Sequence, residues 1–160
     1  MLEFWTIFAA GYGILILIGT LLWLVSLYLN NASIVDQFWS LLFLAVGGFY
    51  FFRTGQESLG NSTRQAIVMG LLTVWSLRLS IYLFWRNWGE PEDYRYKRFR
   101  QTYGPERYWW VSLFQVFWLQ GTLAWIMSST LLGGLIGSDG LNLFDYIGVL
   151  VWLIGFAFEA

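Results

Sequence analysis

The chain has 160 residues, of which 58% are hydrophobic, 21% aromatic and only 12% charged, with a net charge of −1. Soluble domains carry about 25% charged residues, so a water-facing globule is excluded, and only the distribution of charge can speak for partners. Cysteine and histidine are both absent. Disulfides, thiolate and imidazole metal sites and Cys or His nucleophiles are therefore excluded within these residues, no metal site is expected, and acid–base chemistry falls to Asp, Glu, Tyr, Lys or a bound cofactor.

The first apolar run, 4–29, follows Met1-Leu2-Glu3, which lacks the basic start of a cleaved signal peptide. It is expected to stay as an anchor. A polar break at 30–33 leads to a second span, 34–52, opened by Ser33-x-x-Asp36. That spacing fits a capping box, with Asp36 favoured by the helix dipole. It equally fits a desolvated carboxyl, just inside the membrane, that donates a hydrogen bond.

After a polar stretch at 53–64, a third span is predicted at 65–88. Arg78 lies 14 residues from Arg64 and 8 from Arg86, well inside the hydrocarbon. A central arginine costs ~2.5–3.5 kcal/mol on insertion scales. Helical side chains tilt toward the helix N-terminus, away from the nearer interface, so Arg78 is predicted to point at a partner within the bundle. Tyr82 and Arg86, at i+4 and i+8, extend a polar stripe down this helix, or form an interfacial belt with Trp85.

A charged island spans 86–107. It holds six of the nine basic residues (Arg86, Arg95, Lys97, Arg98, Arg100 and Arg107), against Arg53 and Arg64 in the preceding polar stretch. Basic residues favour the cytoplasmic side, so the island is expected in the cytoplasm and the N-terminus outside. Pro91 suits a first helical position, Glu92 and Asp93 a first turn, and Gly104-Pro105 a stop. Tyr96, Phe99 and Tyr103 then form one apolar face on the membrane surface. The arginines, Arg95 and Arg98 among them, either enforce topology or bind phosphate oxygens. Four interspersed acids (Glu90, Glu92, Asp93 and Glu106) argue against nucleic acid.

A fourth span, 110–132, contains Gln115 and Gln120, which suit interhelical hydrogen bonds. A Gly-rich turn at 133–142 lacks the Gly-Lys-Ser/Thr ending of a nucleotide loop. Asn142-x-x-Asp145 caps a fifth span, 143–160, with Glu159 near its inner end, where it can meet a ribose or an amide. No polar flank follows Ala160, so the chain is expected to be part of a longer protein. The fold class is all-α, a single polytopic transmembrane bundle of about five spans.

Four stretches together resemble a known family: Arg78-Leu-Ser-Ile-Tyr-Leu-Phe-Trp-Arg-Asn, Glu92-Asp-Tyr-Arg-Tyr96, Leu119-Gln-Gly121 and Gly155-Phe-Ala-Phe-Glu-Ala160. They look like the steroid 5-alpha-reductase-like membrane proteins, nearest their poorly characterised bacterial branch, from about Val35 onward. The resemblance implies a bundle of about seven helices that reduces a conjugated carbon–carbon double bond of a hydrophobic enone with NADPH. It puts Asp36 in the region of the second-span acid and Glu159 at a cofactor-contacting position. On this reading Asp36 and Tyr82 are the candidate carbonyl donors, and Arg78, Arg86, Arg95, Arg98 and Glu159 are the candidate residues of the pocket and cofactor side. Trp75 stands about where those enzymes have a tyrosine, and Glu90 where they carry a basic residue. Membrane methyltransferases of isoprenylcysteine type, which use S-adenosylmethionine, resemble the same core, and a non-catalytic membrane scaffold is the remaining alternative.

Overall fold

The computed structural model describes residues 2–159, which are helical throughout their ordered elements, with no strand among them. Helix α1 spans Leu2–Leu29, α2 Ile34–Gln56, α3 Ser62–Arg86 and α4, a short one, Tyr94–Tyr103. Helix α5, Pro105–Ser112, passes through a π-helical turn, Leu113–Trp118, into α6, Leu119–Ile136. Helix α7 is Leu143–Glu159. The first three helices and the continuous rod 105–136 are long and apolar enough to cross a membrane. The fifth predicted span appears as α7, a mostly apolar helix of 17 residues against the ~20 that cross the hydrocarbon layer. Ala160, the last residue of that predicted span, lies outside the described residues.

Helix α2 is the hub, packed against α1, α3 and α6. Lipid tails are as apolar as leucine, so such helices associate through close packing and interhelical hydrogen bonds. Serines join α2 to α3, where Ser40 donates to the Ser76 carbonyl at 2.8 Å and Ser80 to that of Gln37 at 2.9 Å. Tyr50, fully buried, shares a 3.0 Å hydrogen bond with Ser128 of α6. Indoles stitch α1 to the long rod: Trp125 donates to the Phe8 carbonyl, Trp118 to Thr20, and Trp23 to the Trp109 carbonyl, all within 3.0 Å. Gly19 allows the closest approach there, because a Cβ at that position would lie 3.2 Å from the Phe117 carbonyl oxygen.

Helix α7 buries none of its described side chains. An ion pair tethers it at each end, Arg64 to Asp145 at 2.8 Å and Arg78 to Glu159 at 3.1 Å. Arg64 also donates to the Gly137 and Gly140 carbonyls, closing the turn before α7. Arg78 thus finds the intrabundle partner its depth requires. Gly60, between α2 and α3, has φ of 88°, and a Cβ there would collide with the Leu135 carbonyl oxygen.

Local expectations differ from the structure in three places. Asn142 and Asp145 do cap their helix, Asp145 accepting from the Asn142 amide and the Asn142 side chain from the Phe144 amide, but the Ser33–Asp36 box does not form. Ser33 accepts instead from the Asp93 amide at 2.7 Å, and the Asp36 side chain turns to α4. Helix α4 begins at Tyr94 with Asp93 as its N-cap, accepting from the Arg95 amide at 2.9 Å, so Pro91 and Glu92 precede the helix. Gly133 and Gly134 lie within α6, and the turn starts only at Gly137.

Candidate functional site

The residues around Asp36 are assembled by the docking of α4. Glu92 stands just before that helix, and its side chain is only 8% exposed. It accepts from the Ala32 amide at 2.8 Å and from Arg100 at 2.9 and 3.2 Å. Arg100 in turn covers the Tyr108 ring at 4.5 Å. One buried carboxylate therefore ties the α1–α2 turn to both ends of α4. Removing one partner of a buried pair typically costs ~3–5 kcal/mol; with Arg100 36% exposed, Glu92→Ala should cost about 2–3 kcal/mol and loosen α4. Thermal unfolding and limited proteolysis in detergent check this; an unchanged midpoint would show that Glu92 does not hold the joint.

Docked in this way, α4 turns Arg95, Tyr96 and Phe99 into a cavity of about 630 Å³. Helix α2 contributes Asp36 and Trp39, α3 Leu83 and Arg86, and the long rod Gln115, Gln120 and neighbouring apolar side chains. The π turn explains both glutamines. In an α-helix, residues five apart diverge by about 140°. The wider i→i+5 turn brings them onto one wall, a common use of π segments at functional sites.

Asp36 is the centre of the polar end. Its Oδ1 accepts from the Tyr96 hydroxyl at 2.8 Å and its Oδ2 from Arg95 Nη2 at 2.7 Å. Gln120 Nε2 donates to the Tyr96 oxygen at 3.3 Å. Arg95 is shared with Asp93, through Nε at 3.0 Å and Nη2 at 3.2 Å. That bond holds the Asp93 carboxyl below its ordinary range, and the paired carboxylates make the Arg95 guanidinium still harder to deprotonate. Tyr96 is 3% exposed. Burial first, then the Asp36 charge, raises its phenol above the ordinary value, so it remains a proton donor at neutral pH.

The structure distributes the sequence-predicted site residues over separate places. Asp36, Arg86 and Arg95 meet at the 630 Å³ cavity. Arg78 and Glu159 meet elsewhere, beside a cavity of about 340 Å³ between α7 and the bundle, where Trp75 also donates to Glu159 at 3.3 Å. Tyr82 is 47% exposed, its ring 5.8 Å beneath the Arg86 guanidinium, and does not line the Asp36 cavity. Arg98 is exposed on α4. Tyr96 is the partner that sequence reasoning missed, whereas Gln120 makes the interhelical hydrogen bond expected of it. A buried tyrosine needs a partner for its hydroxyl, and that was the available signal on the apolar face of α4.

Ion pairing divides the cations sharply. Arg53, Arg64, Arg78, Arg95 and Arg100 are all paired with carboxylates. Among the described residues, Arg86, Lys97, Arg98 and Arg107 have no such partner, and all four belong to the charged island.

A family model described as a protein of unknown function (DUF1295) matches residues 22–160. An uncharacterized protein of Schizosaccharomyces pombe is 30% identical over 163 aligned positions, covering 95% of this chain and 45% of that protein. The chain thus spans about half the length of the curated relative it matches. No solved structure matches it.

Proposed function

This chain belongs to the DUF1295 family, and we propose that it forms the substrate-binding part of a membrane reductase acting on the conjugated carbon–carbon double bond of a hydrophobic enone. The observation that carries this reading is the Asp36–Tyr96–Arg95 cluster at one end of a largely apolar cavity of about 630 Å³. That volume falls in the ~300–1,000 Å³ range of small-molecule sites and suits a steroid- or lipid-sized body. Arg95, through the Nη1 that it does not spend on Asp36 or Asp93, and Tyr96, whose O–H turns from Asp36 to the substrate, supply the donors that polarise a carbonyl oxygen, and Asp36 holds both in place. Fixed donors of this kind stabilise enolate charge most effectively where water is excluded. Asp36 thereby acts through its neighbours rather than as the donor itself, and Tyr96 takes the part expected of Tyr82.

NADPH, when bound, supplies the hydride. The island fits its phosphates through the four cations without carboxylate partners, Arg86 at the cavity edge and Lys97, Arg98 and Arg107 outside it; Arg95 is committed to Asp36 and Asp93. Arg78 and Glu159 pair with each other, which supports a role in the bundle rather than at the cofactor. We place the island on the cytoplasmic side, where positive charge accumulates and the cofactor is found.

The test is a fluorescence titration of the full-length protein in detergent, read from its eleven tryptophans, with NADPH, NADH and S-adenosylmethionine. Saturable quenching by NADPH that is weakened at least tenfold by joint Arg86→Gln and Arg98→Gln substitution is expected. Saturation by S-adenosylmethionine alone would move the protein to the methyltransferases, and no response to any of the three would favour a scaffold.

A further inference from the structure

Asp36 and Arg86 belong to two cavities at once. On one side they face the 630 Å³ cavity; on the other they line a separate chamber of about 100 Å³. This chamber lies between the start of α2, the turn before it and the segment joining α3 to α4. Its wall is polar, with Asn31, Gln37, Asn87 and Glu90 beside Asp36 and Arg86. A cavity needs only ~10–15 Å³ and about two to four polar partners to hold one water, so there is room here for several.

The partners are available. Asn31 uses its oxygen on the Ser33 amide and Asn87 uses its oxygen on Arg86, and neither side-chain N–H group has a partner among the described residues. The Gln37 carboxamide has no protein partner among the described residues. Glu90 is exposed at the outer rim and forms no ion pair among them. The other titratable groups around Asp36 are Arg95 and Tyr96 of α4, Arg86 at the end of α3, and Asp93 before α4; α6 contributes only the neutral Gln120. Beyond Asp36, the larger cavity turns apolar with Trp39, Leu83 and Phe99. Asp36, with Arg86, thus stands at the boundary between the polar chamber and the mostly apolar cavity.

We infer that this chamber is the proton supply of the site, passing protons from the aqueous face by way of Glu90 and Gln37-bound water to Asp36. The relay presupposes the reductase chemistry proposed above. Saturating a conjugated double bond adds one hydride, from the nicotinamide cofactor, and one proton. The hydride brings its electron pair into a new C–H bond at the β-carbon, and the displaced π pair of the double bond makes the substrate an enolate. Tyr96, hydrogen-bonded to the enolate oxygen, gives that oxygen its O–H proton and regains one from Asp36, which has taken it from chamber water. The enol then releases its O–H proton to water and takes one at the α-carbon. Bulk solvent restores that water, so each turnover consumes one solvent proton and leaves no charge on the protein.

Gln37→Leu in the full-length protein tests this. The substitution keeps the backbone carbonyl that Ser80 uses and removes the amide that holds the water. It should lower turnover about tenfold and raise the solvent deuterium isotope effect, with the KM for enone unchanged and Gln37→Glu restoring the rate. A second readout is independent of turnover: infrared detection of the Asp36 carboxyl after a pH jump, its band identified by loss in Asp36→Asn. Its protonation should slow about tenfold in Gln37→Leu, and likewise in Asn87→Leu should the first variant fold poorly. Slow protonation in a protein that reduces no enone would retire the reductase and keep the chamber. An unchanged protonation rate in the folded variant would overturn the chamber whatever the substrate.

Discussion

Asp36→Asn in the full-length protein should lower turnover by about 10²-fold or more, the usual loss when a group controlling proton transfer is neutralised. The amide preserves shape but can accept through only one of its two heavy atoms. Either the Tyr96 hydroxyl or Arg95 Nη2, now 2.8 and 2.7 Å from Asp36, must then face another donor. Helix α4 should remain docked, because the Glu92 joint and the Asp93 cap do not involve Asp36. The check is steady-state kinetics beside thermal unfolding in detergent. Turnover within twofold of the parent would remove Asp36 from the chemistry and leave it as an anchor for α4.

Tyr96→Phe should act more selectively. Removing one donor to a developing oxyanion costs on the order of 10²–10³ in kcat, and the apolar ring is retained, so the KM for a hydrophobic substrate should change little. Its pH behaviour identifies the residue further. The folded phenol is held above its ordinary value by burial and the Asp36 charge. An unfolded chain ionises its tyrosines near pH 10. The stabilising contribution of Tyr96 is therefore fully present below about pH 10 and is lost as pH rises beyond it. Thermal unfolding between pH 8 and 11 should show that decline in the parent protein and a shallower one in Tyr96→Phe. Equal slopes, or a KM that rises in step with the loss of kcat, would contradict a buried hydrogen-bond donor.

The all-helical bundle was legible because its signal is long and one-dimensional. Apolar runs of ~20 residues leave few alternatives in lipid, and the helices begin and end within a few residues of the predicted spans except where Pro105 starts the long rod early. Arg78 was readable for the same reason, since a charge at that depth demands a partner, although its pairing with Glu159 over 81 positions was not. The polar cluster was only half visible. Asp36 and Arg95 stood out as charges, whereas Tyr96 read as one ring of an apolar face. Its role depends on how α4 docks, which Glu92 and Ser33 decide through contacts some 60 residues apart. Gln115 and Gln120 were placed by a π turn with no clear mark in sequence. Ser33 looked like a helix cap because a local pattern cannot show that an amide 60 residues away competes for the same oxygen.

The most direct measurement is NADPH consumption by the full-length protein in detergent against a panel of hydrophobic enones, followed by the mass of the product. The expected result is one saturated product per NADPH consumed, with the label of deuterated NADPH at the β-carbon and a solvent-derived hydrogen at the α-carbon. Saturable binding of both NADPH and enone without any double-bond reduction would contradict the reductase and leave the Asp36–Tyr96–Arg95 cluster a binding site alone.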